Sequence, residues 1–387
     1  MDADSSIKMG AVICVVGARP NFMKMAPLLR AFSVCDPVID SYLVHTGQHY
    51  DVDMNERIFE DLRLRRPDLN LEVGAGTPTV QTAEVMRRFE PVVDRLSPSA
   101  VLVVGDVNST LACALTAARK SVPVIHVEAG LRSYDRSMPE ELNRILTDQL
   151  AEILYTTERS ASDNLAKEGI VGDRVQFVGN VMIDSLHHGL DFTSPVKQTL
   201  ARAGANWSGS FSTCGYALVT MHRPSNVDTT VDLTHMLETL KQVASRIPVV
   251  FVMHPRTRGN IARFGLQTML EASDLITLPP QGYLEMLGLT RAATVVLTDS
   301  GGLQEETTAL GIPCITLRQN TERPITVEYG TNTLVGRDRL ATIGAVEQIL
   351  SSGGKRGRSP ELWDGRAASR IAEHLGKWLR TRNGVRR

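Results

Sequence analysis

Short apolar runs rich in β-branched residues alternate with longer segments of helical period along most of this chain. A crossover helix is the usual way to return a chain to the starting edge of a sheet, so this alternation is typical of parallel sheets. It predicts a doubly wound α/β fold in each half of the chain. The predicted strands are 11–16, 100–104, 122–126, 217–220, 249–253, 275–278, 294–297 and 314–317, and the predicted helices of the first half are 22–32, 109–118 and 140–150.

The alternation restarts after residues 205–215, a polar stretch that contains glycine and serine, so we place the domain boundary between about residues 185 and 215. A chain of 387 residues also exceeds what one hydrophobic core usually supports. We therefore predict two Rossmann-like domains facing a cleft, residues 1–190 and 191–365, followed by a helix and tail at 366–387. Apolar residues recur at helical spacing in that last segment, so we expect an amphipathic helix that packs back across the two lobes.

The composition excludes several classes of function. The 43 acidic and 42 basic residues give a net charge of −1, so no overall field favours nucleic acid or an anionic membrane, and an anion must be held locally. No apolar run is long enough to span a membrane, which predicts a soluble, cytoplasmic protein. The cysteines are odd in number and lack C-x-x-C spacing, which predicts buried free thiols rather than disulfides or a zinc site. They are Cys14, Cys35, Cys113, Cys214 and Cys314.

Polar residues directly after the predicted strands are the candidates for ligand contacts, because open parallel sheets bind ligands beyond the carboxyl ends of their strands. The turn Asp299-Ser300-Gly301-Gly302 follows one such strand and precedes a helix. Glycines allow close backbone approach, and the N–H groups at a helix start favour a phosphate. An ordinary β–α turn is the alternative, since glycine is common there.

Charged residues near such turns could complete a nucleotide site. An acid in the first turns of the helix after residue 302 could reach ribose hydroxyls, and we assign that role to Glu306, leaving Glu305 as a solvated helix-face residue. Arg19 leaves the first strand of the other domain and could hold a phosphate through two parallel hydrogen bonds. Lys24 and Arg323 are further candidate cations, with solvated surface positions as their alternatives.

Three acids lie at adjacent β–α turns of the first domain: Asp106 and Glu128 each follow a predicted strand, and Glu140 begins the next helix. Carboxylates beside a substrate suit proton transfer if burial raises their pKa toward the working pH. One or two of them could instead cap helices or pair with Arg132 and Arg144. His222 ends the first strand of the second domain and is expected to face these acids across the cleft, although a single histidine is more often structural.

A metal site and a dinucleotide cofactor are both disfavoured. His45 and His49 flank a Gly-Gln turn, and the chain has neither H-E-x-x-H nor a cysteine cluster. The first turn, Gly17-Ala18-Arg19-Pro20, lacks G-x-G-x-x-G. We predict no metal and no cofactor.

Several motifs in one order closely resemble the non-hydrolysing UDP-N-acetylglucosamine 2-epimerases over about residues 11–350. The motifs are Gly17-Ala18-Arg19-Pro20, Lys24-Met25-Ala26-Pro27, Thr46-Gly47-Gln48-His49, Gly105-Asp106, the segments 126–132 and 139–141, Asp299 to Glu306, and Thr321-Glu322-Arg323-Pro324. The resemblance implies two Rossmann domains of the glycosyltransferase-B type, no redox cofactor, a UDP-sugar substrate and a homodimer. It also implies the conversion of UDP-N-acetylglucosamine to UDP-N-acetylmannosamine through elimination of UDP to a 2-acetamidoglucal, for supply of surface polysaccharide precursors.

The resemblance assigns roles to individual residues. Asp106, Glu128, Glu140 and His222 match the catalytic residues of that family by position. The matches to its substrate contacts are Arg19, Lys24, Gln281, Met286 (where the uracil would lie), Ser300, Gly301, Gly302, Glu306 and Arg323. Gln48, His49 and Arg223 resemble positions that, in some members, contact a second substrate molecule acting as an activator.

Some segments depart from the commonest form of the family. Asn21 stands where a glutamate usually follows the proline, and the segments 105–110 and 254–258 look more like the branch that epimerises UDP-2,3-diacetamido-2,3-dideoxyglucuronate. Arg256 and Arg258 could therefore face a uronate carboxylate, or they could be exposed helix-start arginines.

Three other functions stay open beside the epimerase. A glycosyltransferase of the same architecture would need an acceptor and would not need three strand-end acids. A hydrolysing 2-epimerase is disfavoured because Arg19-Pro20 replaces the Arg-Ala-Glu-Tyr form after the first strand. A non-catalytic nucleotide-sugar sensor is disfavoured by the acid cluster.

Overall fold

The computed structural model describes residues 10–47, 58–202, 204, 215–271 and 275–385. Within these residues the predicted α/β fold is confirmed, with strands that alternate with helices in two fully parallel sheets. The chain divides into two compact units. One contains the residues up to Ser185 together with those from Glu361 onward, and the other runs from Leu186 to Pro360.

The first unit contains a seven-stranded sheet of order β3-β2-β1-β4-β5-β6-β7. Its strands are β1 (Val12–Val16), β2 (Ser41–His45), β3 (Leu69–Asn70), β4 (Ala100–Val104), β5 (Val124–Ala129), β6 (Ile153–Thr156) and β7 (Val175–Phe177). Its helices are α1 (Arg19–Val34), α2 (Pro78–Leu96), α3 (Asn108–Arg119), α4 (Pro139–Leu150) and α5 (Arg159–Lys167), and α6 (Val181–Leu190) leads into the second unit.

The central strands β1, β4 and β5 are buried at every residue, which is expected when helices cover both faces of a parallel sheet. This burial explains their continuous apolar sequence. Strand β5 extends further than the sequence predicted, and Glu128 lies within it rather than after it. Its register with β6 shifts between Val127 and Ala129, so that the pairing leaves out Glu128.

The second unit contains a six-stranded sheet of order β10-β9-β8-β11-β12-β13. The strands are β8 (Ala217–Thr220), β9 (Val249–Val252), β10 (Leu275–Leu278), β11 (Val295–Thr298), β12 (Cys314–Thr316) and β13 (Asn332–Leu334). The helices are α7 (Val196–Arg202), α8 (Pro224–Val227), α9 (Thr230–Ala244), α10 (Pro255–Arg263), α11 (Gln267–Glu271), α12 (Tyr283–Ala292), α13 (Gly301–Leu310), α14 (Pro324–Glu328) and α15 (Arg339–Ser352).

The last helix, α16 (Ala367–Val385), belongs to the first unit and packs against α1. Its first turn is anchored by Asp184, whose carboxylate accepts the backbone N–H groups of Ala367 and Ala368 at 3.2 and 2.9 Å. Trp363 precedes the helix and donates its indole N–H to the carbonyl of Thr157. The two bonds to Asp184 satisfy backbone N–H groups that a helix start otherwise leaves without partners.

Three of the described cysteines, Cys14, Cys113 and Cys314, are buried free thiols, as the sequence predicted, whereas Cys35 is only half-buried. Burial raises the pKa of the Cys14 thiol to about 12 and that of Cys314 to about 11. Cys214 lies outside the described residues. Among the helices that the structure describes, none has the length and apolarity needed to cross a membrane.

Candidate active site

Glu128 and Lys24 form a buried ion pair at the carboxyl end of the first sheet. Lys24 is 5% exposed and Glu128 is 3% exposed, so the alternative of a solvated helical lysine is wrong. Glu128 has a φ of +73°, a left-handed conformation that costs a residue with a Cβ on the order of 1–2 kcal/mol. Such strain often marks functional sites. It makes Glu128 the strongest candidate among the sequence-predicted acids.

Gly105 leaves the space that this ion pair occupies. It follows β4 with a φ of +67°, and a Cβ on it would lie 2.8 Å from the Lys24 Nζ and 3.1 Å from the Glu128 Oε2. Glycine is therefore required here for both its backbone conformation and its missing side chain.

Asn21 joins the turn after β1 to the end of β4. Its side-chain oxygen accepts the N–H groups of Gly17 and Ala18 at 3.1 and 3.0 Å, and its amide donates to the carbonyl of Val104 at 2.9 Å. Residue 21 departs from the commonest form of the epimerase motif, and in this chain it fixes the start of α1, the helix that carries Lys24.

Asp106 pairs with Arg144 of α4, an alternative that the sequence left open. Arg144 also bonds Glu141 at 2.6 Å, while the amide of Asn143 donates to the Asp106 carbonyl at 2.8 Å. The Asp106 side chain is about a quarter exposed, so a ligand can reach it. The pairing with Arg144 orients its carboxylate without removing it from solvent.

Glu140 and Glu141 differ although they are neighbours in the first turn of α4. Glu140 is half-buried, whereas Glu141 is buried and accepts the backbone N–H groups of Ser133 and Tyr134, each at 2.9 Å. Burial raises the pKa of Glu141, but these donors and Arg144 outweigh it and hold that pKa below its usual range. Glu141 thus stabilises the loop before α4, and Glu140 is the acid suited to contact a ligand.

A network of buried polar residues around His126 and Asp148 supports this end of the sheet. The sequence motifs did not identify it as part of a functional site. The ring nitrogens of His126 lie 2.6 Å from the Asp148 carboxylate and 2.9 Å from the carbonyl of Gly105. Asp148 also accepts the N–H of Gly130 at 3.1 Å and pairs with Arg132 at 2.7 Å. A histidine in the middle of an apolar strand was the signal that could have revealed this network.

In the second unit, the turn after β11 has the features of an anion site. Ser300 is the N-cap of α13. The backbone N–H groups of the first helical residues, Gly301 and Gly302, therefore have no acceptor within the helix and can face an anion. A Cβ on Gly301 would lie 2.6 Å from the Oε1 of Glu322, so a larger residue would displace that carboxylate. Asp299 is fully buried and points away from the turn, toward His222.

Arginines surround the buried carboxylate of Glu322 beside this turn. Arg318 lies 2.9 Å from it and Arg223 lies 3.8 Å from it. Burial raises the pKa of Glu322, but Arg323 and Arg318 outweigh the burial and lower it to about 2. Arg318 was not identified from the sequence, because a lone arginine after a short strand carries no distinctive motif.

Arg323 is buried and pairs with Glu305 at 2.7 Å. The expectation that Glu305 is a solvated helix-face residue is therefore wrong, since it is 1% exposed. The alternative of a surface position for Arg323 is wrong for the same reason. Glu306 is buried beside Glu305 on α13.

The other sequence-predicted residues lie in varied surroundings. Arg19 begins α1 and is half-buried. Gln281 follows β10 and donates to the carbonyl of Pro279 at 2.8 Å, and the half-buried Met286 of α12 packs against the core of the second unit. Gln48 and His49 lie outside the described residues.

Arg256 is engaged elsewhere, because it forms a two-pronged ion pair with Asp228 at the surface of the second unit. Arg258 is exposed. This favours the alternative that both are helix-start surface arginines. In the described parts of the chain no group of three or more histidine, cysteine or acidic residues could hold a metal ion.

Comparisons with known proteins agree on one family. The family model for UDP-N-acetylglucosamine 2-epimerase matches residues 35–376. A UDP-N-acetylglucosamine 2-epimerase of Methanocaldococcus jannaschii is 39% identical over 93% of this chain and 97% of its own length. A UDP-2,3-diacetamido-2,3-dideoxy-D-glucuronate 2-epimerase of Pseudomonas aeruginosa is 41% identical over 95% of this chain and 99% of its own.

Solved structures give the same result. The crystal structure of the M. jannaschii UDP-GlcNAc 2-epimerase in complex with UDP-GlcNAc and UDP has a TM-score of 0.82 and 38% identity, covering 95% of this chain and 99% of that one. The enzyme from Neisseria meningitidis bound to UDP-GlcNAc has a TM-score of 0.83 and 28% identity, covering 95% of this chain and all of that one.

Proposed function

Because this chain belongs to the UDP-N-acetylglucosamine 2-epimerase family, a family of isomerases, we propose that it interconverts UDP-N-acetylglucosamine and UDP-N-acetylmannosamine. The observation that carries the proposal is the buried Lys24–Glu128 pair, held in a strained backbone beside Asp106. Strained backbone conformations persist only where the surrounding structure maintains them, and they cluster at active sites, which supports a functional role for this carboxylate.

The proposed reaction removes the proton at C2 and breaks the bond from C1 to the UDP oxygen, which leaves 2-acetamidoglucal and UDP. UDP then adds back at C1 and a proton adds at C2 on the opposite face. Two acid–base groups are needed, and the candidates are Asp106, Glu128, Glu140 and His222.

The second unit is proposed to bind UDP. Departing UDP carries the negative charge that develops in the elimination, so cations and helix-start N–H groups aimed at it lower the barrier. Within the second unit, the Ser300-Gly301-Gly302 turn and Arg323 would hold the diphosphate, Glu306 the ribose and Met286 the uracil. Arg19 of the first unit is proposed as a phosphate ligand on the strength of the resemblance alone. Gln281 and Lys24 are proposed as further substrate contacts.

A different sugar is the main alternative. The P. aeruginosa relative named as a diacetamido-glucuronate 2-epimerase is 41% identical, so its substrate is a second candidate for this chain. The Arg256–Asp228 pair weakens that alternative, because it engages an arginine that could otherwise face a uronate. A glycosyltransferase is the third candidate, which has only the shared architecture in its favour.

Product analysis in deuterated water separates these possibilities. The enzyme is incubated with each UDP-sugar alone, and the products are followed by proton NMR. We expect a C2-inverted UDP-sugar that carries one deuterium at C2. If no sugar is inverted and no deuterium enters C2, the proposed function is rejected. Free N-acetylmannosamine in excess of the nucleotide sugar would indicate the hydrolysing reaction instead.

Three further proposals accompany this function: homodimeric assembly, cytoplasmic location, and activation by a second substrate molecule at Gln48, His49 and Arg223. Within the described residues Arg223 lies beside Glu322, which links the proposed activator position to the arginines of the UDP site. Hyperbolic kinetics, with no activation of the reverse reaction by added UDP-N-acetylglucosamine, would reject the activator proposal. Sedimentation velocity would measure the oligomeric state.

A further inference from the structure

Asp299 is fully buried, and its carboxylate is surrounded by donors from the loop after β8. It accepts the backbone N–H of His222 at 3.0 Å and that of Arg223 at 2.9 Å, and it accepts the side-chain amide of Asn226 at 2.9 Å. Burial raises the pKa of Asp299, but the hydrogen bond from His222 and these other donors outweigh it and keep the carboxyl ionised.

The same carboxylate lies 3.0 Å from the Nδ1 of His222. An ionised carboxylate can only accept hydrogen bonds, so Nδ1 must carry a hydrogen. In the neutral ring the other nitrogen, Nε2, is then the one with a free lone pair. About a third of the His222 side chain is exposed, so a ligand can reach the ring.

We propose that Asp299 is a positioning residue that fixes the tautomer and the ring orientation of His222, so that Nε2 is the nitrogen that exchanges a proton with the substrate. The proposal rests on the proposed epimerase function. The resemblance gives no role to Asp299, the first residue of the turn, because only the following Ser300, Gly301 and Gly302 match substrate contacts. The proposal assigns it one.

The surroundings of His222 support a fixed ring. The ring of His254 lies 5.1 Å away between centroids, tilted by 33°, and restricts rotation on that side. The Nδ1 of His254 accepts the backbone N–H of Arg256 at 3.2 Å, so that histidine uses the opposite tautomer when neutral. Two adjacent histidines are thus held with their hydrogens on different nitrogens.

Asp299 also connects this histidine to the phosphate turn. Its backbone leads directly into Ser300, while its side chain holds the loop of His222. A ligand that seats against the turn therefore meets a histidine whose position is set by the same residue. A positioning carboxylate of this kind is worth a large factor in hydrolases, where its replacement by asparagine lowers turnover by about 10⁴-fold through the wrong tautomer.

The Asp299→Asn variant tests the proposal. Its amide NH₂ can face the ring, which would move the ring hydrogen from Nδ1 to Nε2. We expect turnover to fall by about 10²-fold or more, on the scale of a lost acid–base group, while the Kd for UDP changes less than about threefold. Nitrogen-15 NMR of the histidine rings should show the change of tautomer at His222.

The matched control is Asn226→Ala, which removes a different donor to the same carboxylate and leaves the Nδ1 contact in place. In this variant we expect the tautomer of His222 to be the same as in the unmodified protein, and turnover to stay within about threefold of the unmodified value. The double variant Asp299→Asn/His222→Gln should lose no more turnover than His222→Gln alone, because both substitutions act through the His222 ring.

Two results would overturn the proposal. One is an Nε2–H tautomer of His222 in the unmodified protein, which can be measured even if Asp299→Asn fails to fold. The other is an equal loss of turnover and of UDP affinity in Asp299→Asn, which would indicate a structural role. Failure of the proposed function is separate, since the NMR measurement needs no turnover and the product assay needs no variant.

Discussion

The two units share the same strand order over six strands but carry different chemistry at the equivalent turn. In the first, β4 lies between β1 and β5, and the turn that follows it contains Gly105 beside an ammonium–carboxylate pair. In the second, β11 lies between β8 and β12, and its turn contains Gly301 beside a carboxylate surrounded by arginines. In both units the backbone turn leaves space for a ligand, and the neighbouring side chains determine which chemistry is available there.

This comparison separates two effects of mutation. If the acids of the first unit transfer protons and the arginines of the second unit hold UDP, changes to the acids should lower turnover without weakening UDP binding. Changes beside the arginines should mainly weaken binding.

Replacing the three candidate acids gives the largest effect. We expect Asp106→Asn, Glu128→Gln and Glu140→Gln each to lower turnover by about 10²-fold or more, because each removes a group able to take or give a proton. Calorimetry should show UDP affinity close to that of the unmodified protein.

Glu141→Gln is the matched control for Glu140→Gln. It weakens the bonds to Ser133 and Tyr134, so we expect it to lower the melting temperature rather than act on the chemical step. Turnover like that of the unmodified protein in all three acid variants would contradict the assignment of proton transfer to these acids.

The pH dependence of stability should have opposite sign in the two units. Burial raises the pKa of Asp184 in the first unit to about 6, with the N–H groups of Ala368 and Ala367 opposing that rise. The folded state therefore holds this proton more tightly than the unfolded state. The contribution of Asp184 to the free energy of unfolding is fully present below about pH 4 and is lost as the pH rises through 6, by about 3 kcal/mol.

Glu322 in the second unit behaves in the reverse way, because its pKa is lowered to about 2. The contribution of Glu322 to the free energy of unfolding is present above about pH 4.5 and is lost as the pH falls toward 2. Urea unfolding between pH 3 and 8 measures both slopes. Asp184→Asn should remove the loss between pH 4 and 6 only, and an unchanged profile in this variant would reject the explanation.

The two turn glycines should differ in their tolerance of a methyl group. Gly105→Ala meets both a positive φ and the Lys24–Glu128 pair, so we expect a loss of about 2 kcal/mol. Gly301→Ala meets only the end of the Glu322 side chain and has no positive φ to maintain, so about 1 kcal/mol is expected. Denaturant midpoints measure the loss of stability in each variant. A larger loss of stability in Gly301→Ala than in Gly105→Ala would contradict the prediction.

The smallest effect is expected from Arg256→Ala. Surface ion pairs contribute little, so the loss of its pair with Asp228 should cost about 0.5 kcal/mol or less. The KM for UDP-N-acetylglucosamine should stay unchanged. A rise in KM confined to the diacetamido-uronate substrate would instead show that Arg256 contacts the sugar and would favour the alternative branch.

The sequence predicted the sheets and the strand-end turns because both follow from periodicity and from glycine, which are local signals. It did not predict the left-handed backbone of Glu128, since such strain is maintained by packing from β4 and α1. The burial of Glu305 was missed for a related reason. Its partner Arg323 is distant in sequence, and no pattern reports that pairing. The network of His126 and Asp148 likewise joins residues from different elements.

The return of the chain to the first unit at Glu361 has a consequence for how the protein is made. The first unit is discontinuous in sequence, so a ribosome must synthesise the whole second unit before α16 exists. Until then the carboxylate of Asp184 lacks the two backbone donors that it binds in the finished fold. We expect the second unit to be able to complete its fold first during translation, although it comes later in the sequence.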